Sequence, residues 1–67
     1  MTRNQIDKRA AYNRARAAAN AQNAPWVVYR DEDYNYLRIA SLRCWDMWVN
    51  TLQVSESDLK CIVCPGQ

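Results

Sequence analysis

The class of fold depends on residues 26–53, which read WVVYRDEDYNYLRIASLRCWDMWVNTLQ. Residues 26–30 are β-branched and aromatic, which predicts a short strand. From Leu37 to Leu52, apolar residues recur at steps of three and four, as on the core-facing side of a helix. Two-residue hairpins favour Gly, and the one Gly of the chain is Gly66. We therefore predict a single helix over residues 33–53.

The acidic run Asp31-Glu32-Asp33 leaves a second interpretation open. It is either the first turn of that helix, with Asp31 or Asp33 as N-cap, or the turn of a hairpin. The prediction is a mostly α fold, a small three-helix domain with a short β segment at 26–30. The alternative is an α+β fold with a hairpin at 26–39 followed by a helix at 40–53.

The segments on either side complete a single small domain of residues 1–67. Residues 3–23 contain no Gly or Pro and are rich in Ala, so they predict a helix that ends before Pro25. Its small apolar stripe is expected at Ile6, Ala10, Ala17 and Ala21, with Tyr12 on the other side. The rest of the domain, residues 25–67, holds every Trp and Cys.

The segment after Ser55 also has two interpretations. Ser55 is a suitable N-cap, followed by acidic residues, so residues 59–63 predict a short helix. The same residues are equally suited to a strand that pairs with residues 26–30. Pro65 and Gly66 end either element.

The composition excludes several classes of function. The 67 residues include no His, which removes the commonest general base and metal ligand. Asp46 is a single acid among aromatic residues, without a nucleophile or a phosphate-binding loop, so we expect no enzyme. No run of eighteen apolar residues occurs and residues 1–20 lack the apolar core of a signal peptide, so we expect a cytoplasmic protein without a membrane partner.

The N-terminal helix suggests nucleic-acid binding as an alternative function. Residues 1–23 carry a net charge of +4, because one acidic residue, Asp7, stands against five cations: Arg3, Lys8, Arg9, Arg14 and Arg16. Basic helices bind the phosphates of RNA or DNA. In composition, Thr2 to Trp26 resembles the arginine-rich RNA-binding arm of lambdoid phage antitermination proteins, although Asp7 intervenes and the cations are dispersed around the helix.

The cysteines suggest a zinc-stabilised module as a further alternative. Cys61-Ile62-Val63-Cys64, followed by Pro65-Gly66, resembles one knuckle of a zinc ribbon. Cys44 is then a candidate third ligand. Small buried apolar residues are the other interpretation of all three cysteines.

The strongest functional signal is an excess of aromatic residues over what so short a chain can bury. Tyr, Trp, Met and Arg are enriched at protein interfaces. The candidate protein-binding residues are Tyr29, Arg30, Tyr34, Tyr36, Arg38, Arg43, Met47 and Trp48. We expect a small interaction protein without a cofactor that binds a larger host protein sterically, and that also forms homodimers. In kind it resembles the small proteins of phages and mobile elements, which include inhibitors of host enzymes and of defence systems such as CRISPR.

Overall fold

Two α-helices and a three-stranded sheet form the fold in a computed structural model that describes residues 3–31 and 36–66, with side chains from Lys8 onward. In chain order the elements are α1 (Arg3–Gln22), β1 (Trp26–Asp31), β2 (Tyr36–Ser41), α2 (Leu42–Asn50) and β3 (Leu59–Val63). The strands are antiparallel in the order β2-β1-β3, so β1 is central. The architecture is α+β.

The predicted mostly α fold, with one helix over residues 33–53, is therefore wrong. A hairpin of β1 and β2 precedes α2, which begins only at Leu42. The strand β2 sends Leu37 and Ile39 to one face of the sheet and Ala40 to the other. From Tyr36 to Ile39 the exposure alternates, with exposed Tyr36 and Arg38 on one face and half-buried Leu37 and Ile39 on the other, but the apolar residues of this segment also fit the three- and four-residue spacing of a helix.

The absence of Gly was a misleading signal at the hairpin. Asp31 of β1 pairs with Tyr36 of β2 although no Gly lies between them, so these two strands pair without the Gly that a tight turn favours. Glu32 and Asp33, which were proposed for this turn or for a helix N-terminus, lie outside the described residues. The N-cap of α2 is instead Ser41, whose Oγ accepts a hydrogen bond from the Cys44 backbone N–H at 3.2 Å.

The helix α1 has the predicted extent but packs through a different face. Ala11, Ala15 and Ala19 are buried against the sheet, at 6%, 0% and 0% exposure. Ala10, Ala17 and Ala21 of the predicted stripe are exposed; Ile6 lies outside the residues whose side chains are described. The sequence did not distinguish the two faces because Ala occupies both, and the sheet packs where backbone can approach backbone closely.

The sheet separates two apolar clusters. Beneath α1, Val28 and Val63 pack with Ala11 and Ala15, and Trp26, Leu37, Ile39 and Cys61 lie around them. On the opposite face, Val27, Tyr29 and Ala40 pack with Trp45 of α2. The two clusters share no side chain, so each helix has its own small core.

Of the two interpretations of the segment after Ser55, the strand is confirmed and the short helix is wrong, because Leu59–Val63 form β3. Ser55 does act as an N-cap, but only for a 3₁₀ turn over Glu56–Asp58. The strand β3 then pairs with β1, with an irregularity in register between Val28 and Tyr29. Beyond β3, the Gly66 backbone N–H donates to Asn20 Oδ1 at 2.7 Å, which connects the end of the chain to α1.

Candidate functional site

A group of three aromatic rings forms the base of the candidate site. The ring centroid of Tyr29 lies 5.1 Å from that of Trp45 and 5.9 Å from that of Trp48, in tilted and edge-to-face arrangements. Such pairs add about 0.5–1.5 kcal/mol to the free energy gained from burial alone. Tyr29 and Trp45 are buried and Trp48 is half-buried. The rings therefore form a rigid base that is open to solvent at Trp48.

An open groove of about 660 Å³, here called the α2 groove, begins at these rings. Its lining residues are Tyr29, Arg30, Asp31, Trp48, Leu52, Gln53, Val54, Ser55 and Asp58. The apolar walls are formed by Tyr29, Trp48, Leu52 and Val54. Asp58 places a carboxylate in the groove and has no ion pair within the part of the chain described. The groove is thus mixed, with apolar walls beside two carboxylates, Asp31 and Asp58, and one exposed cation, Arg30, among its described lining residues.

Leu52 has an unusual position at the rim of this groove. It is 90% exposed and has a φ of 60°, in the left-handed region that favours Gly. The Gln53 backbone N–H donates to Trp48 O at 2.8 Å and the Leu52 N–H donates to Val49 O at 3.1 Å. These two bonds form a Schellman motif, in which Leu52 takes the place usually held by Gly. Leu52 therefore has an unfavourable backbone conformation without the benefit of burial.

An ion pair lies beside the aromatic base. Arg38 Nη1 donates to Asp31 Oδ2 at 3.2 Å across the β1–β2 pair. This hydrogen bond raises the pKa of Arg38 above its ordinary value. Burial raises the pKa of Tyr29 above 10.0; the nearby Arg38 opposes that rise and Asp31 adds to it. The phenol of Tyr29 consequently stays neutral, and the charges of this face lie on the rim.

The predicted protein-binding residues are only partly brought together. Tyr29, Arg30 and Trp48 line the α2 groove. Tyr36 and Arg38 are on β2, in register with Asp31 and Tyr29, so they share that sheet face. By contrast, at 3.6 residues per turn, Arg43 and Met47 lie on the side of α2 away from Trp45, and both are exposed. Tyr34 lies outside the described residues.

Six groove residues were not identified from the sequence as protein-binding residues: Asp31, Leu52, Gln53, Val54, Ser55 and Asp58. Leu52 was interpreted as part of the apolar face of a helix that was expected to continue to residue 53. Its exposure became apparent only because α2 ends at Asn50. A Leu directly after Asn50-Thr51, where a C-terminal Gly would be favourable, is the one signal that the sequence carried.

The cations of α1 do not form one surface. Lys8, Arg9 and Arg16 lie on the same side of the helix as Tyr12, and the Arg16 guanidinium carbon is 5.9 Å from the centroid of the Tyr12 ring. Arg14 projects from another side, about 120° or more away by helix geometry. The side chain of Arg3 lies outside the described residues. Lys8 and Arg9 line a second groove with Lys60 of β3, a residue that was not predicted for any binding site.

The structure does not bring the three candidate zinc ligands together. Cys44 packs on the α2 side of the sheet and Cys61 on the α1 side. Cys64 is exposed beyond β3, and none of the three forms a disulfide bond within the described residues. The pair Cys61 and Cys64 belongs to a strand and its end rather than to the turn that a zinc knuckle requires. No group of three or more potential ligands is present within residues 3–31 and 36–66.

Two broader comparisons complete the description of the site. Neither helix in the described ranges combines the length and the apolar character needed to cross a membrane. Comparisons with protein families, with curated proteins and with solved structures return no match for this chain.

Proposed function

We propose that this protein is a small non-enzymatic interaction module that binds a segment of a larger protein in the α2 groove. The observation that carries the proposal is Leu52. Its side chain is 90% exposed and its backbone is held at positive φ. A left-handed conformation costs a residue other than Gly roughly 1–2 kcal/mol. The fold gains little from this side chain, whereas a partner in the groove would bury it.

The chemistry of the groove indicates the kind of segment it binds. Trp48, Leu52 and Val54 surround an apolar space, which suits an aliphatic or aromatic side chain. The two carboxylates of the described lining, Asp31 and Asp58, outnumber its one cation, Arg30. Asp58 at the edge therefore favours a cation on the partner, because an ion pair next to a desolvated contact orients the complex. The expected ligand is therefore a segment with a large apolar residue beside Lys or Arg.

Binding of this kind acts by occlusion. A module of 67 residues that covers such a segment prevents the partner from using it elsewhere. The described residues hold no pair of catalytic groups around the α2 groove that would give it a chemical step: Asp31 is paired with Arg38, and Asp58 is a single acid. The proposed activity is consequently steric inhibition or sequestration of a larger protein.

Selection from a displayed library of random peptides tests the proposal. Wild-type protein should enrich peptides in which an aromatic or aliphatic residue adjoins Lys or Arg. Leu52→Asp should weaken binding of the enriched peptides by about tenfold or more, as for a central interface residue. Asp58→Asn should reduce the preference for the basic neighbour while retaining the apolar one.

Met47→Asp is the matched control, because Met47 is an exposed apolar residue of α2 outside the groove, with 54% exposure. It should leave peptide binding unchanged. If Met47→Asp abolishes binding and Leu52→Asp does not, the site is the outer side of α2 and the groove is not the interface. Light scattering supplies the other contradictory outcome: a dimer that Leu52→Asp dissociates would make a second copy of this chain the occupant.

A further inference from the structure

A second groove lies on the face of the sheet opposite the α2 groove. This α1 groove has a volume of about 790 Å³. Lys8, Arg9 and Tyr12 line it from α1, and Lys60 lines it from β3. Val28 and Leu37 of the sheet contribute apolar surface between them. It therefore combines cations from two separate elements with an apolar floor.

The charge of the α1 groove has a single sign. Lys8, Arg9 and Lys60 are exposed, and none of them has an ion pair in the described part of the chain. No Asp or Glu of the described residues lines the groove. Because these three like charges meet no counter-charge among the described lining residues, an anionic ligand with several charges is the complementary occupant.

Tyr12 distinguishes between kinds of anionic ligand. Its side chain is 40% exposed, so one part of the ring is accessible from the groove. The Arg16 guanidinium carbon lies over the Tyr12 ring, 5.9 Å from its centroid, so a further planar cation lies next to the aromatic ring. Stacking on an aromatic ring beside cations that follow the backbone is the usual mode of binding single-stranded nucleic acid.

We propose that the α1 groove binds single-stranded nucleic acid, independently of peptide binding at the α2 groove. Lys8, Arg9 and Lys60 contact successive phosphates. One base packs on Tyr12 and over the apolar floor at Val28 and Leu37. A duplex is disfavoured, because its bases are stacked and paired and do not reach an apolar floor below the rim of cations.

Fluorescence anisotropy with labelled oligo-deoxythymidine and oligouridine tests this proposal. With three phosphate contacts and a slope of about −0.7 per contact for single strands, affinity should fall about 20-fold between about 50 and 200 mM salt. Replacing both Lys8 and Arg9 by Ala should reduce the slope to about −0.7. Lys60→Ala should remove one phosphate contact and so reduce the magnitude of the slope by about 0.7.

The controls come from the same helix and the same ring. Arg14→Ala removes one charge, as Lys60→Ala does, but from another side of α1, and should leave the slope unchanged. Tyr12→Ala should weaken binding by about tenfold, since base stacking contributes roughly 1–3 kcal/mol, and Tyr12→Phe should retain affinity. Circular dichroism checks that each variant is folded.

Three results would overturn the proposal. The first is an Arg14→Ala effect as large as that of Lys60→Ala, which would indicate a diffuse attraction to the charge of the whole protein. The second is equal affinity for a duplex of the same length. The third is a combination of two findings: poly-glutamate competes as well as unlabelled oligonucleotide at the same concentration of charge, and Tyr12→Ala has no effect. The groove would then bind acidic peptides.

Discussion

Leu52→Gly should make the protein more stable while it weakens peptide binding. Leu52 is held at a φ of 60° by the Schellman hydrogen bonds at the end of α2. Releasing a non-Gly residue from the left-handed region recovers about 1–2 kcal/mol. The greater freedom of Gly in the unfolded chain offsets about 0.4–1 kcal/mol of that gain.

The side chain itself contributes little to this balance. Full burial of Leu stabilises a fold by about 1.5–3 kcal/mol, but Leu52 is 90% exposed, so about 0.2 kcal/mol is lost on its removal. The three contributions sum to between about −0.2 and +1.4 kcal/mol, so the central expectation is an increase of about 0.6 kcal/mol in the free energy of unfolding. For a domain of this size that corresponds to a rise in Tm of roughly 2–5 °C.

Urea and thermal denaturation, followed by circular dichroism and Trp fluorescence, measure the change. Asn23→Gly is the matched control, because Asn23 is the other non-Gly residue with positive φ in the described chain, at 52°. Asn tolerates this conformation, so its replacement should change stability by a smaller amount. A Leu52→Gly variant less stable than wild type would refute the reasoning, since it would mean that the Leu52 side chain packs in the folded protein.

Three other predictions concern the packing of the fold and the aromatic base. Ala15→Leu should destabilise the protein by about 1–3 kcal/mol in urea denaturation, because Ala15 is fully buried between α1 and the sheet. Ala17→Leu, on the exposed side of α1, should change the stability little. Equal effects of the two substitutions would mean that α1 packs through both sides. Ser41→Ala should cost about 1 kcal/mol in the same assay through loss of the N-cap of α2, and a neutral result would exclude that hydrogen bond as a stabilising contact. Because burial raises the folded-state pKa of Tyr29 above 10.0, unfolding free energy should be insensitive to this group below pH 10.0 and fall as pH rises above it. Tyr29→Phe should show a shallower fall over that range, and parallel curves for the two proteins would contradict the assignment.

The helix α1 shows how far local chemistry carries the prediction. Its extent follows from a run without Gly or Pro, and from Pro25 just beyond its end. Its buried side did not follow, because Ala10 and Ala17 are chemically equivalent to Ala11 and Ala15. Only the position of the sheet distinguishes them, and that depends on residues far along the chain.

The candidate sites show the same dependence on distant contacts. The sequence indicated an aromatic surface, and Tyr29 and Trp48 do line the α2 groove. Leu52 and Asp58 join them only because α2 ends at Asn50 and the chain turns back toward β1. Likewise, Lys60 lines the same groove as Lys8 only because β3 pairs with β1, which brings β3 next to α1.

The amino-acid sequence alone established the helical N-terminal segment, the capping role of Ser55 and the division into a basic and an aromatic part. These properties depend on each residue and its near neighbours, through propensity, capping and charge. The strand at Tyr36–Ser41 and the two grooves depended on the tertiary structure. Pairing with β1 satisfies backbone hydrogen bonds and allows both faces of the sheet to be covered, and this gain, which no local pattern reports, outweighs the helical periodicity of the same residues.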